Sequence, residues 1–286
     1  MKTEFSHGRM EVSMKITFWS PVHGQAKTTS NMIAIAIFST ILYEQNNMIM
    51  QTNFNFNNLE VPLVGTHTKV VGEYFNGDIG LDALSRSIKS EPLNKEVIHN
   101  CSISMLNQGL NLLPGTTKIN REHYEDKLIP VLPSIIHSIE QNYDMVFIDT
   151  NSGLSDEITK RVIRLSDIVV VNLCQSKAVL DEYFKENPFE EFSNKLFYLL
   201  GNYDKNSKYS VVNIKRIYKN FIKNNIAVIP YNTKYMDSMS SGLAISYMES
   251  CLEDDKGEEN MYFTNSIKEA CSKILRKAGM NRRIIT

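Results

Sequence analysis

The chain has 286 residues, a formal net charge of −1, 42% hydrophobic residues and 22% charged residues. These values are those of an ordinary soluble globular protein, and the near-zero charge gives no overall electrostatic reason to expect a nucleic-acid partner. Residues 1–13 are polar and lack the apolar core of a signal peptide, and no run reaches the roughly 18 apolar residues of a membrane span. We therefore expect a cytoplasmic protein with a disordered leader at 1–13, for which Met14 is an alternative start.

The first predicted strand, Lys15–Ser20, leads into a polar loop that ends at Lys27. A long apolar helix, predicted over Thr28–Tyr43, follows directly. Strand, tight loop, Lys-Thr and helix is the layout of a phosphate-binding loop, because a helix N-terminus offers unpaired N–H groups and a partial positive charge. Lys27 would add a full charge, and the hydroxyl of Thr28 can ligate Mg²⁺.

This loop matches the known motifs imperfectly. The common pattern has glycine at the positions of Pro21 and Ala26. His23 stands in the turn, where it would contact a phosphate or have no role. The alternative interpretation of the loop is a chance match in an ordinary turn.

The middle of the chain alternates short strands and helices. A second buried strand is predicted at Met48–Met50, and an amphipathic helix at Leu128–Gln141. The remaining elements predicted between them are helices at Gly80–Ser90 and Asn94–Cys101 and a strand at Leu110–Leu113 that ends in a Pro-Gly turn.

The second strong signal is the apolar run Asp144–Asp149, which ends in a carboxylate. An aspartate at the carboxyl end of a buried strand beside a phosphate loop can hold Mg²⁺, and Gly153 would let the backbone approach a phosphate. The alternative role of Asp149 is to cap the following helix. Its occurrence downstream of a Lys-Thr loop favours the metal site.

Three further apolar strands are predicted, Asp167–Leu173, Lys195–Leu200 and Ile226–Ile229. Continuous apolar strands alternating with helices indicate a parallel sheet covered on both faces. The predicted fold class is therefore α/β, a three-layer P-loop NTPase-like sandwich with a mainly parallel central sheet. Ligands of such folds bind beyond the carboxyl ends of the strands. The segments expected to converge there are Gly24–Thr29, Gln51–Asn53, Asp149–Gly153 and Asn202.

The last predicted element is an amphipathic helix, Thr264–Met280, with an apolar stripe and several lysines and arginines outside it. Packing of the stripe on the sheet is the simpler interpretation. The alternative is a weak contact of this helix with a membrane surface or a polyanion, although the stripe has no aromatic anchor.

Taken together, the residues from Met14 to Met280 resemble the ParA/MinD-type ATPases, whose Walker A loop is deviant. The loop through Gly24, Lys27 and Thr28 fits that deviant motif, and the strand that ends at Asp149 fits its second motif. The other matching pieces are Leu112–Gly115, Asn202 and the segment from Ile229 to Gly242. The resemblance implies one nucleotide-binding domain over residues 14–286.

The resemblance also implies ATP and Mg²⁺ as ligands. By position, Thr28 and Asp149 would hold the metal, and Lys27 would act in catalysis together with Asn53. The residues that would contact the nucleotide are His23, Gly24, Gln25, Ala26, Lys27, Thr28, Thr29, Gly153, Asn202 and Pro230.

Three departures from the family pattern concern hydrolysis. Val22 replaces the signature lysine that reaches across a nucleotide-sandwiched dimer, and Gln51 and Asn53 replace aspartates that position or activate water. An amide can orient water but cannot accept its proton as a carboxylate can. We therefore expect ATP to be bound and to be hydrolysed slowly or not at all.

Within the family, the opening Phe18–Gln25 is most similar to the TadZ/CpaE-like pilus-assembly branch. That branch implies a homodimer that serves as a localisation or assembly factor for Flp/Tad-type pilus or secretion machinery. Its protein partner would lie at a cell pole or envelope machine, at the inner membrane face. The alternatives are an active ATPase in partitioning or positioning and a nucleotide-free interaction scaffold. Specific nucleic-acid binding fits less well.

Overall fold

The central feature of the fold is one sheet with the strand order β3-β4-β2-β5-β1-β6-β7-β8. The computed structural model describes residues 13–54, 59–65, 79–90, 92–219, 225–253 and 257–279. The leader predicted at 1–13 therefore lies, but for Ser13, outside the described residues. The strands are β1 Met14–Trp19, β2 Asn47–Gln51, β3 Ile103–Met105, β4 Leu110–Leu113, β5 Met145–Asp149, β6 Ile168–Leu173, β7 Leu196–Tyr203 and β8 Ile226–Pro230.

Helices cover both faces of this sheet. Neighbouring strands pair in parallel except at the edge, where β3 runs antiparallel to β4. The predicted three-layer α/β fold with a mainly parallel sheet is thus confirmed. The helices are α1 Thr28–Tyr43, α2 Glu60–Val64, α3 Leu81–Ser87, α4 Lys95–Asn100, α5 Arg121–Leu128, α6 Leu132–Glu140, α7 Glu157–Leu165, α8 Lys177–Glu186, α9 Val211–Ile217, α10 Thr233–Ser241, α11 Ala244–Glu253 and α12 Glu258–Lys277.

The core has one apolar layer on each side of the sheet. Alternate side chains of a strand enter opposite layers, as Ile49 and Met50 of β2 do. The layer that contains α1, α10, α11 and α12 is continuous, and α1 is buried along most of its length because it lies between the sheet and α12. This arrangement fixes the N-terminus of α1 at the carboxyl edge of the central strands.

The prediction of a helix over Leu128–Gln141 is wrong at the start of the helix. The chain forms α5, turns at residues 129–131, and begins α6 at Leu132. Pro130 explains the break, since proline lacks the N–H that a helix interior requires and its ring clashes with the preceding turn. Pro133 is tolerated because it lies in the first turn of α6, where N–H groups need no helical partner.

The C-terminal helix α12 begins earlier than predicted, at Glu258 rather than Thr264. Its apolar stripe, which includes Ile267, Cys271 and Ile274, is fully buried against β8 and α1. Packing on the sheet is therefore confirmed, and this stripe is not available for the membrane contact that was its alternative. Within the described residues, no helix is both long enough and apolar enough to span a bilayer.

Candidate nucleotide site

The loop between β1 and α1 holds the N-terminus of α1 open toward solvent. α1 begins at Thr28, as predicted, and Lys27 precedes it in the left-handed region with φ of 55°. Among the residues that the structure describes, no side chain caps this helix end. Because the first N–H groups of a helix have no intrahelical partner, they remain available to an anion.

The loop is supported from beneath by buried polar contacts and by one glycine. Asn31 Nδ2 donates to the carbonyl of Ala26 and to Oδ1 of Asn172, both at 3.0 Å. Gly201 of β7 packs directly on the same carbonyl, because a Cβ at Gly201 would lie 2.0 Å from the oxygen of Ala26. These contacts place the loop backbone at the carboxyl ends of β1, β6 and β7.

A cavity of about 270 Å³ opens above this helix end. It collects residues from the loop and α1, from the segment after β2, from the end of β5 and from α10. The lining residues are His23, Gly24, Lys27, Thr28, Thr29, Ser30, Asn53, Asp149, Thr150, Asn151, Ser152 and Met239. Seven of the predicted site residues thus line one cavity: His23, Gly24, Lys27, Thr28, Thr29, Asn53 and Asp149.

Asp149 is the buried acid of this cavity, with a residue exposure of 1%. Its Oδ2 accepts a hydrogen bond of 2.6 Å from Thr29 Oγ1 and a weaker one of 3.4 Å from Asn53 Nδ2. Burial raises the pKa of Asp149 to about 7, and these hydrogen bonds only partly oppose the shift. A cation at this carboxylate would remove the penalty of its burial.

The donor set around Asp149 fits Mg²⁺. Oδ1 of Asn53 is buried and has no hydrogen-bond partner among the described residues, although such atoms are normally satisfied. Magnesium prefers carboxylate, hydroxyl and amide oxygens and keeps several of its waters, which donate hydrogen bonds. A hydrated Mg²⁺ between Thr28 and Asp149 would supply both the missing charge and the missing donors.

The buried carboxylate of Asp149 should make the stability of the ligand-free protein depend on pH. Because the pKa is raised in the folded state, its contribution to stability is present below pH 4 and is lost as the pH rises to about 7. The loss is about 1.4 kcal/mol per pH unit in that window. At pH 8 the free energy of unfolding of Asp149→Asn is expected to exceed that of the parent by about 2–4 kcal/mol, and at pH 5 by less. Denaturant unfolding without Mg²⁺ and nucleotide measures this, and an unchanged pH dependence in the variant would contradict it.

Gln51 does not join this cavity, although it was expected to converge there. Its Nε2 lies 3.3 Å from both carboxylate oxygens of Glu60, which also accepts a 2.8 Å bond from the N–H of Gly115. Burial raises the pKa of Glu60, whose residue exposure is 3%. The network ties α2 to the carboxyl ends of β2 and β4 and holds the amide of Gln51.

Five of the predicted site residues do not line the cavity. Gly153 donates its N–H to the carbonyl of Ser20 at 2.9 Å, and its carbonyl accepts from Trp19 Nε1. Asn202 is exposed near the end of β7, next to Gly201, and the buried Pro230 ends β8 opposite Tyr203. The other two, Gln25 and Ala26, belong to the loop, where Gln25 is exposed and Ala26 is buried. A role for these five in nucleotide binding stays a prediction.

Several site residues were not predicted from the sequence. Met239 reaches the cavity from α10, and Glu60 and Gly201 support it from outside. Gly201 had a recognisable signal, since a glycine at the end of a core strand often marks a close backbone approach. Met239 and Glu60 carry no local signal, because only the tertiary fold brings them to this edge.

The chain matches no protein-family model and no curated protein sequence. Solved structures do match it. A ParA family ATPase from Chlorobium tepidum has a TM-score of 0.68 at 15% identity, covering 91% of this chain and 98% of its own. MinD from Pyrococcus horikoshii, in complex with Mg-ADP, has a TM-score of 0.66 at 16% identity, with coverage of 95% and 100%. A putative plasmid partition protein from Borrelia burgdorferi, bound to AMPPNP, has a TM-score of 0.59 at 16% identity, with coverage of 92% and 99%.

The fold and the loop together define the class of the protein. It has a P-loop NTPase-like α/β fold with the loop, the helix N-terminus and the strand-end aspartate in one cavity. Within that class the fold is that of the ParA/MinD-type ATPases, so the predicted resemblance is confirmed at the level of the fold.

Proposed function

We propose that this chain is a ParA/MinD-type protein that holds ATP with Mg²⁺ in the described cavity and hydrolyses it slowly or not at all. One observation carries the proposal: Lys27, Thr28 and Asp149 line the same cavity at the open N-terminus of α1. Two structural neighbours are complexes with Mg-ADP and with AMPPNP, and their fold is the same.

Each residue of the cavity contributes a distinct interaction in this proposal. The first N–H groups of α1 and the ammonium of Lys27 bind the phosphate oxygens, since both present positive charge to the cavity. Thr28 and Asp149 hold the metal ion, which neutralises phosphate charge when bound. The predicted contacts of Asn202 and Pro230 with the nucleotide complete the assignment.

Slow hydrolysis follows from what stands at the catalytic positions. Val22 offers only methyl groups where the family has a lysine, so it cannot stabilise charge on a transferred phosphoryl group. Gln51 is held by Glu60 and does not line the cavity. Asn53 lines the cavity but, as an amide, can only orient a water molecule.

Truncation of the two amides should separate a structural role from a site role. Gln51→Ala is expected to lower the free energy of unfolding by about 1–3 kcal/mol, because it leaves the buried Glu60 short of a donor. It should leave the affinity for Mg-ATP within about twofold. Asn53→Ala, the matched truncation, should lower that affinity several-fold because its amide faces the proposed metal. Titration with Mg-ATP and denaturant unfolding of both variants measure this, and a reversed pattern would overturn the assignment.

The cellular role belongs to the same proposal. We assign the protein to the TadZ/CpaE-like branch on the resemblance of Phe18–Gln25, as a localisation or assembly factor of Flp/Tad-type machinery. It would act as a homodimer in the cytoplasm or at the inner membrane face and bind a protein of that machinery. Cell imaging of a tagged protein tests this role, and a uniform distribution that persists with the machinery present counts against it.

A cycling ATPase of partitioning or positioning is the second candidate, favoured by the intact set of Lys27, Thr28 and Asp149. Steady-state phosphate release, measured for the parent and for Lys27→Ala, decides between the slow nucleotide-bound protein and the cycling ATPase. Release no faster than the variant supports a nucleotide-bound switch, whereas clear Lys27-dependent release supports the ATPase. If the protein binds no nucleotide at millimolar concentration, the third hypothesis from the sequence, a nucleotide-free interaction scaffold, remains.

A further inference from the structure

An acid-free stretch of chain surrounds α9. Between Asp204 and Asp237 the sequence has no aspartate or glutamate, although the whole chain has a net charge of −1. Seven lysines and arginines fall in the same interval: Lys205, Lys208, Lys215, Arg216, Lys219, Lys223 and Lys234. Such an imbalance concentrates positive potential on one part of the surface.

α9 presents much of this charge to solvent. Ile214 and Tyr218 anchor the helix in the apolar layer beneath it. At 100° per residue, the opposite arc is centred on Arg216. We call this surface the basic α9 face; it consists of Lys208, Val212, Lys215, Arg216, Ile217 and Lys219, of which all but Lys215 are exposed and Lys215 is partly exposed.

The cations of this face form no ion pair within the part of the chain that the structure describes. The nearby acid Asp181 accepts a hydrogen bond from Tyr218 and is paired with Lys177. The preceding loop is fixed, because Gln175 Nε2 donates to the carbonyls of Asp204 and Tyr209 at 3.0 and 2.9 Å. The backbone next to Lys208 is therefore fixed, and the cations of the face have no ion-pair partner among the described residues.

Two apolar side chains flank these charges on the same exposed arc. Val212 is 76% exposed and Ile217 is 52% exposed. Aliphatic side chains gain nothing from the phosphates of a nucleic acid, whereas between lysines and arginines they match the boundary between lipid headgroups and acyl chains.

We propose that the basic α9 face binds the surface of an anionic lipid bilayer, with the cations at the headgroups and Val212 and Ile217 inserted among them. The face shares no residue with the lining of the nucleotide cavity. The apolar stripe of α12 cannot serve as this membrane contact, because it is buried against β8 and α1.

Vesicle flotation of the full chain tests the proposal. The protein is expected to float with vesicles of phosphatidylglycerol and phosphatidylcholine and not with phosphatidylcholine alone. Arg216→Glu with Lys219→Glu should lower the partition coefficient at least about tenfold, since each basic residue near an anionic surface is worth about 1 kcal/mol. Val212→Ser with Ile217→Ser, which leaves the charge unchanged, should lower it several-fold.

The control is Lys89→Glu with Lys127→Glu, which makes the same change of charge at two other exposed lysines. Lys89 follows α3 and Lys127 lies on α5. The control should retain binding to the vesicles. Lys27→Ala should also retain it, so a failure of the proposed nucleotide site would be distinguished from a failure of the lipid surface. All variants are first checked for an unchanged melting temperature. The proposal is overturned by absence of flotation, by equal loss in the control, or by flotation that the Val212/Ile217 variant leaves intact. Binding of a duplex DNA probe without flotation would equally overturn it.

Discussion

Replacement of Lys27 is expected to weaken ATP binding about a hundredfold, a loss of about 3 kcal/mol. Of the described residues that line the cavity, Lys27 alone carries a permanent positive charge. Its removal leaves the phosphates to the N–H groups of α1, whose field is equivalent to about half a charge. Calorimetric titration of the parent and of Lys27→Ala with Mg-ATP measures the loss of affinity.

Two further variants make this prediction specific. Lys27 has φ of 55°, and asparagine adopts that region more readily than alanine. Lys27→Asn therefore removes the charge with less backbone strain and should lose the same affinity as Lys27→Ala. Lys89→Ala, at an exposed lysine outside the cavity, should bind as the parent does. If Lys27→Asn retained the parent's affinity, the loop would not be the phosphate site.

Gly201→Ala is expected to lower the free energy of unfolding by about 2–3 kcal/mol and to impair ATP binding. The added Cβ would lie 2.0 Å from the carbonyl oxygen of Ala26 and 2.7 Å from Asn31 Nδ2, so β7 or the loop must shift. The shift displaces the backbone that would cradle the phosphates. Denaturant unfolding and nucleotide titration of the variant measure the two effects.

Gly257→Ala is the control for this substitution. Among the described residues nothing lies within 4 Å of the added Cβ, but the φ of 88° at Gly257 makes alanine strained there. We expect a cost of about 1–2 kcal/mol and no change in ATP affinity. If Gly201→Ala bound ATP as well as this control, the strand would not support the loop in the way described.

The sequence was sufficient to predict the sheet and the loop because their signals are local. The apolar strands and the helix beginning at Thr28 follow from continuous apolar runs and from residues adjacent in the chain. Asp149 was recognised because it ends such a strand. Its position 2.6 Å from Thr29 confirms that the two segments meet, although their residues are 120 positions apart in the chain.

What the sequence could not provide depends on side-chain direction and on distant partners. Gln51 and Asp149 are neighbours in register, yet the amide of Gln51 is held by Glu60 of α2. No pattern in the sequence indicates that Glu60 returns to this strand end, since residues 55–59 separate it from Phe54 without a recognisable motif. The break at residues 129–131 was missed because amphipathic spacing outweighed Pro130 in the prediction.

The fate of bound nucleotide tests the central claim most directly. Purified protein is loaded with ATP and Mg²⁺, freed of unbound nucleotide and denatured at intervals to identify the ligand. The account predicts that the ligand is retained and remains ATP, and that Lys27→Ala retains none. Rapid conversion of the bound ATP to ADP, or no retained nucleotide in the parent protein, would contradict it.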